Sequence, residues 1–354
     1  MAKTFKNIYG QIYDFANLYA AYLRARRGKR YRHEVLRFSR DLEPNLIQIQ
    51  NELVWKTYHT GRYREFFVYE PKRRPVAALP FRDRVVQHAI VSVIEPIWEN
   101  RFVYDSYACR PTRGTHAGAD RAQAFLRKVK RRHGKVYVLK ADISKYFASI
   151  DHGVLKRLLR KRIACGDTLS LLDGIIVSTP GPTGIPIGNL TSQLFANIYL
   201  HELDEYVKYD LREHFYVRYM DDFVIIHHDK QHLQRLRVAI ESFLWDRLRL
   251  RTNAKTQVFP VGLVRGRALD FLGYRIWPTH RKLRKGSIKR MRHRLRRLQA
   301  LYAAGRIGFA QIGPRIVSWF GHAKHADSYN LRSKVLGDAV FRRDNQKKGA
   351  APLL

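Results

Sequence analysis

Cysteine is nearly absent from this 354-residue chain: Cys109 and Cys165 are the two it has. Two thiols make neither a disulfide framework nor, alone, a four-ligand zinc site, and they fit a reducing compartment. Long apolar runs are missing as well. No stretch approaches the ~18 apolar residues of a membrane span, and the opening MAKTFKNIYGQIYDF lacks the continuous apolar core of a secretory leader. A cytoplasmic protein with no membrane partner is the expectation. Internal repeats and low-complexity linkers are absent too. Acid is the third scarcity: 30 Asp and Glu stand against 67 Lys and Arg, a formal net charge of +37. Self-repulsion of that size destabilises a compact state unless a polyanion offsets it. The basic residues run from Arg24 to Lys348 instead of sitting in one amphipathic segment, which favours a long nucleic-acid backbone over a membrane surface. A hydrophobic fraction of 45% is ordinary for a globular protein, so disorder is not the default, and the length allows two or three packed subdomains.

Hydrophobic periodicity divides the chain. Residues 7–26 put Ile8, Ile12, Phe15, Leu18, Tyr19 and Tyr22 at helical spacing, and residues 42–53 repeat the pattern. YREFFVY (63–69) reads as a strand, with Pro71 and Pro75 bracketing a turn that holds Lys72, Arg73 and Arg74. Residues 83–98 return to helix. KVYVLKADI (135–143) reads as a strand ending in an acid, 189–207 as a long helix, and VRYMDDFVIIHH (217–228) as two short strands joined at 220–222. Helical spacing resumes over 233–248, and 268–277 reads as extended. Residues 281–297 carry ten basic residues and no acid on a helical period. From Asp344 the composition is that of a disordered end. Strand, helix, hairpin and helix in this order suit an α+β fold, an antiparallel sheet with helices on one face.

The acids that remain are placed unevenly. Asp142 closes an apolar, β-branched strand where a loop begins. Asp221 and Asp222 sit at a tight hairpin between VRY and FVII. One Asp in such a place is ordinary turn chemistry. An acid pair in a hairpin with a second strand-end acid upstream matches a different need, the transfer of a nucleotidyl group. There the attacking hydroxyl loses a proton and the phosphate gathers negative charge, and two Mg²⁺ ions held by two or three converging carboxylates meet both demands. A turn can bring both neighbouring acids to one site, with one of them more peripheral.

YMDD (219–222) resembles the YxDD signature of reverse transcriptases. ADISKYFASIDH (141–152) and GIPIGNLTSQLFANIYLHELD (184–204) resemble their first two palm motifs, and LPFRDRVVQHAI (79–90) with SYACRPTRGTHAG (106–118) their fingers blocks. FLGY (271–274) is similar to the primer-grip segment. YxDD alone is a weak pattern, whereas six blocks in family order over most of 63–274 are specific. Within the family, IGNLTSQ (187–193) resembles the IGNxTSQ form of diversity-generating retroelements, as do RIWPTH (275–280) and SWFGHAKHAD (318–327).

The resemblance implies a right-hand polymerase. Residues 1–60 would be an N-terminal helical extension, 61–275 fingers and palm, 276–345 a basic helical thumb and 346–354 a disordered tail. It implies an RNA-directed DNA polymerase with two Mg²⁺ held by Asp142, Asp221 and Asp222, with Ile143 as a further metal ligand. A stand-alone polymerase is expected, with no intron-type DNA-binding or endonuclease domain after Leu354, encoded by a bacterium or phage. Its partners would be an RNA template, the RNA/DNA duplex, dNTPs and a small basic accessory protein. Phe147, five residues after Asp142, matches the steric gate against ribose, with neighbouring Tyr146 leaving the register open by one. Lys72 and Arg74 match cations that clamp a triphosphate, Arg82 is a further candidate, and Lys255 in NAKTQ matches a palm lysine near the leaving phosphates. Gly188 and Asn189 open a helix whose N-terminus suits phosphates. Ile187 stands where related enzymes carry Gln, and Gln193 is a second candidate for setting fidelity at the nucleotide. Arg290, Arg294 and Arg297 would lie along template–primer backbone. His322 and His325 lack the companion ligands a zinc site needs and fit thumb packing better.

The leading reading is a polymerase making error-prone, adenine-mutagenised cDNA for a diversity-generating retroelement. A retron, intron-like or phage-defence enzyme is the alternative within the family, and a non-catalytic basic RNA-binding scaffold the alternative outside it.

Overall fold

The computed structural model describes residues 4–69, 73–264 and 266–343. Lys72 and the tail expected to be disordered lie outside them. The first predicted helix is two pieces, α1 (Tyr9–Tyr13) and α2 (Phe15–Ala25), because Asp14 accepts a hydrogen bond from the Asn17 N–H and caps the second. They bury Ile12, Leu18, Ala21 and Tyr22. Helices α3 (His33–Arg40) and α4 (Leu42–Val54) follow. Strands β1 (Arg64–Val68) and β2 (Arg74–Ala78) form an antiparallel pair in which Phe66 faces Val76, and β1 is exposed along its length. Helix α5 (Phe81–Glu99) receives the buried stripe of α2 and also packs against α1 and α3.

Beyond α6 (Thr115–His133) comes β3 (Tyr137–Asp142), whose Val138, Leu139 and Ala141 are buried. Short helices α7 (Tyr146–Ser149), α8 (His152–Arg160) and α9 (Gly166–Val177) lead to α10 (Leu190–Glu205). Helix α10 is buried on nearly every side, as a central helix must be, and it packs on α5 and α8. It runs into a π-helical turn, Tyr206–Asp210. The hairpin read from the sequence is β4 (Tyr216–Tyr219) and β5 (Asp222–His227), with Tyr219 opposite Asp222. Helix α11 (Lys230–Leu248) and β6 (Gln257–Pro260) follow, and the sheet order is β4-β5-β3-β6.

A second sheet holds β7 (Leu269–Phe271), β8 (Tyr274–Ile276) and β9 (Arg281–Leu283), all antiparallel. Helices α12 (Lys285–Ala303), α13 (Phe309–Lys324) and α14 (Tyr329–Gly337) come last. The basic run of 281–297 is thus not one helix. Its first three residues pair with β8, burying Leu283, and Arg281 forms an ion pair with Asp120 at 2.6 Å. A run of like charges hides such a change of backbone, because only its few apolar residues report the period.

Two compact units emerge, and their boundaries differ from those expected. One comprises residues up to Gly114, Leu139–Ile225 and Gln234–Gln257; the other comprises Thr115–Val138, Ile226–Leu233 and the chain from Val258 on. The first sixty residues are helical, and α1 to α3 pack directly on α5. Within the second unit, His322 and His325 pack with His116 and Tyr274. The His116 and His325 rings stack at 3.7 Å, and the Tyr274 hydroxyl donates to the His322 carbonyl at 2.8 Å. Gly273 is required there, because a Cβ at its φ of +90° would stand 3.1 Å from the His322 ring. No helix among the described residues is long and apolar enough to cross a membrane.

Candidate active site

Strand β3 delivers Asp142 to the end of the sheet, and a loop from α11 braces it. The Asn253 side chain donates to Asp142 Oδ2 at 2.6 Å, and the Asn253 N–H donates to the Asp142 carbonyl at 2.8 Å. On the neighbouring strands, Met220 adopts a left-handed φ of 56°, a strained state for a bulky residue. That bend carries Asp221 to the end of the sheet where Asp142 stands, and the Asp142 charge acts on its carboxyl.

What holds the bend lies underneath. Arg218 and Asp204 are fully buried and joined by two bonds, Arg218 Nε to Asp204 Oδ1 at 2.7 Å and a terminal guanidinium nitrogen to Oδ2 at 2.6 Å. The other terminal nitrogen donates to the Met220 carbonyl at 3.1 Å and to Asn197 Oδ1 at 3.3 Å. Tyr216 donates to Asp204 Oδ1 at 2.7 Å. The strained turn is therefore fastened to the central helix α10 through one guanidinium.

Crowding acids raise each other's proton affinity. Burial pushes the Asp221 carboxyl up, and the Asp142 charge adds to it, while the Arg74 charge opposes the shift. Burial likewise pushes Asp222 up to about 7, against the pull of Lys140, whose ammonium stands 3.5 Å from Asp222 Oδ2. Lys140 shares a face of β3 with Asp142. The buried Asp222 Oδ1 has no hydrogen-bond partner among the described residues. Among the described residues no three acids or histidines form a ready-made metal cage. The structure supplies instead a pair of carboxyls acting on each other, with a carboxylate oxygen beside them that has no partner among the described residues. That donor set fits Mg²⁺, which takes few protein carboxylates and fills its remaining positions from water and phosphate. Asp142 and Asp221 would hold the ions, with Asp222 the more peripheral acid.

The other expected residues fall into place one by one. Ile143 is buried opposite Thr252; the flanking bonds use the Asp142 carbonyl and the Ser144 N–H, so its own carbonyl points away from Thr252. Tyr146 is wholly buried, its hydroxyl on the Ala196 carbonyl, whereas Phe147 is half-buried and meets Tyr146 edge-on at 5.6 Å. Ile187 is 37% exposed, and its carbonyl accepts from the Ala77 N–H at 2.9 Å. Gly188 has φ +129°, and a Cβ would come 2.7 Å from the Ala77 carbonyl, so only glycine allows β2 to lie so close. The N-terminus of α10 is already engaged: Gln87 accepts from the Leu190 N–H at 3.0 Å, and the Asn189 amide donates to Tyr63 instead of capping. Gln193 is half-buried one turn on. Lys255 is exposed, its N–H on Asn253 Oδ1 at 2.9 Å. Of the described fingers cations, Arg74 acts on Asp221, Arg73 lies over the Phe67 ring at 4.0 Å, and Arg82 is spent on Glu52. Arg290, Arg294 and Arg297 are exposed on α12.

Sequence reasoning missed Arg218, Asp204, Lys140 and Asn253. One signal was available: an arginine between Val217 and Tyr219 inside an apolar strand has to find a buried acid or leave the strand.

The central helix, the sheet and its acid-bearing hairpin give the fold class of right-hand polymerases. A family model described as reverse transcriptase (RNA-dependent DNA polymerase) matches residues 69–276, and the chain belongs to that family. Protein YkfC of Escherichia coli (strain K12) is 30% identical over 254 residues, covering 59% of this chain and 65% of that protein. The group II intron-encoded protein LtrA of Lactococcus lactis subsp. cremoris is 29% identical over 177 residues, 47% of this chain and 28% of LtrA. The chain thus spans less than two thirds of either relative. Apo telomerase from Candida tropicalis aligns with a TM-score of 0.51 at 11% identity, over 78% of this chain and 59% of that one, a likeness of fold alone.

Removing one partner of a buried ion pair strands the other charge. Arg218→Met should therefore lower unfolding free energy by about 3–5 kcal/mol, and adding Asp204→Leu should restore part of the loss. Urea titration checks this, and a double variant worse than the single would dissolve the pair as a unit. A pH dependence also follows. Asp222 holds its proton to about pH 7 in the metal-free fold, whereas the unfolded carboxyl releases it near pH 3.9. This raised-pKa contribution to stability is present below about pH 4 and lost as pH rises through about 7. Mg²⁺ needs the deprotonated form, so its stabilising effect should grow from about pH 5.5 to about pH 8. Melting curves in Mg²⁺ against chelator would show it; the same growth in Asp221→Asn/Asp222→Asn would locate the metal elsewhere.

Proposed function

We propose that this chain is an RNA-templated DNA polymerase that extends a primer with dNTPs. The observation that carries the reading is the Asp142–Asp221 pair, half-buried, with the Asp142 charge raising the Asp221 carboxyl and a strained turn holding it. Bound Mg²⁺ would supply the Lewis acidity that activates the primer hydroxyl and neutralises the phosphates. The chain's own part is to place ligands: Asn253 orients Asp142, Arg218 orients the turn bearing Asp221, and Lys140 keeps Asp222 alongside. Arg74, whose charge acts on Asp221, would meet the triphosphate, with Lys72 and Lys255 as further cations for its phosphates. Phe147 would serve as the gate against ribose, since Tyr146 is committed to the core. Ile187, Gly188 and Gln193 would border the nascent base pair, and the Arg290, Arg294 and Arg297 stripe would follow template–primer backbone.

Within the family we assign the chain to the diversity-generating polymerases, on IGNLTSQ at 187–193 and the two downstream segments. It would make adenine-mutagenised cDNA with a structured RNA template and a small basic accessory protein. The likeness to LtrA favours a second reading, an intron-type enzyme. A repeat pair beside the gene that differs at adenines would decide for the first.

Three substitutions test these assignments. Asp142→Asn keeps the shape and removes the charge; primer extension on RNA should vanish while RNA binding persists, and near-normal extension would overturn the metal-site assignment. Phe147→Ala should admit ribonucleotides in single-nucleotide extension; an unchanged preference for dNTPs would put the gate elsewhere. Ile187 offers neither donor nor acceptor, and an oriented hydrogen bond to a buried polar group is worth about 1–3 kcal/mol in discrimination. Ile187→Gln should therefore lower misincorporation opposite template adenine in sequenced cDNA. Equal error rates would remove Ile187 from the mechanism, and accurate copying by the wild type with its partners would reject the subfamily.

A further inference from the structure

Helix α12 carries three stripes at nearly the same spacing. Met291, Leu295, Leu298 and Tyr302 are buried and form the core with α13 and α14 residues such as Ile312 and Val335. Arg290, Arg294 and Arg297 form an exposed stripe. Lys285, Lys289, Arg292 and Arg296 form another. At about 100° per residue, the two basic stripes point roughly 140° apart around the axis. The helix is three-sided, with one apolar and two basic faces.

The two basic faces differ. Lys285, Lys289, Arg292 and Arg296, together with His293 and Ile288 and with Leu331 of α14, line a recess of about 470 Å³. No acid among the described residues lines it, and Ile288 and Leu331 are half-buried in its wall. Four permanent cations in an acid-free recess call for a polyanion, and the net charge of +37 makes nucleic acid the fitting one. A duplex keeps its bases inside and offers this recess only backbone, leaving Ile288 and Leu331 nothing apolar to meet. An unpaired nucleotide exposes an apolar base face together with its phosphate. A volume in the range that takes small organic ligands suits one or two nucleotides.

We propose that this recess binds an unpaired stretch of RNA, on the side of α12 away from the Arg290 stripe. One helix would then hold duplex backbone on one face and single-stranded RNA on the other. The proposal rests on the polymerase reading only in taking RNA as the strand bound.

The test uses the full chain and two labelled probes, an unpaired RNA of about 12 nucleotides and an RNA/DNA hybrid of the same length. Affinities are read by fluorescence anisotropy at several salt concentrations. Arg292→Gln/Arg296→Gln should weaken the unpaired probe about tenfold and the hybrid less than twofold, and Arg290→Gln/Arg294→Gln should give the reverse pattern. Leu331→Ser changes no charge. It should weaken the unpaired probe about threefold with no change in salt slope, because it removes apolar contact with a base. Equal losses on both probes would reduce the recess to general electrostatics and overturn the proposal. So would unchanged binding of the unpaired probe by Arg292→Gln/Arg296→Gln. Primer extension by the wild type is run alongside: its absence would reject the polymerase reading, while the two-probe pattern judges the recess.

Discussion

Two carboxyls close enough to act on each other's proton repel once both are ionised, and much of the first compact unit is arranged to keep Asp142 and Asp221 together regardless. Neither acid sits on a free loop. Asp142 ends a strand with apolar neighbours and is gripped from both its backbone and its side chain by Asn253. Asp221 stands in a two-residue turn whose strain is countered by Arg218, and Arg218 is itself anchored in α10. A rigid frame of this kind turns electrostatic repulsion into affinity for a cation, because the acids cannot relax by moving apart. The left-handed Met220 is the local cost, offset by a buried network that reaches Tyr216 and Asn197.

The second motif supplies a different coupling. Gly188 and the Ile187 carbonyl lie against Ala77, so β2, which begins at Arg74, is hydrogen-bonded to the segment that starts α10. The same α10 holds Asp204 for the turn. Arg74 and Asp221 are thus referred to one helix from its two ends, and the charge relation between them is set by α10 and not by either loop.

How much of this was legible depended on range. Asp142, Asp221 and the hairpin register could be read because turn chemistry and period-two alternation are local. The choice between Tyr146 and Phe147 was not local: adjacent rings look alike in sequence, and burial against Ala196 separates them. Lys140 and Asn253 were invisible for the same reason, since their partners lie 82 and 111 residues away, counted to Asp222 and Asp142. The compact units were not legible because each is assembled from separate stretches of chain, and composition cannot show that residues 115–138 join those beyond 258. Helix α6, within that stretch, went unread: half of its buried stripe is the small residues Gly118, Ala119 and Ala122, which report a period weakly, and its last turn is wholly basic.

The three-sided cross-section of α12 limits how its length can evolve. Its faces are defined only by rotation about the axis, so inserting one residue near His293 would turn everything downstream by about 100°. Charged side chains would then rotate into the layer that Leu295, Leu298 and Tyr302 occupy. Substitutions can be absorbed one face at a time, but insertions and deletions strike all three together. Along this helix length should therefore drift far less than identity, with gains and losses of residues confined to the connections on either side.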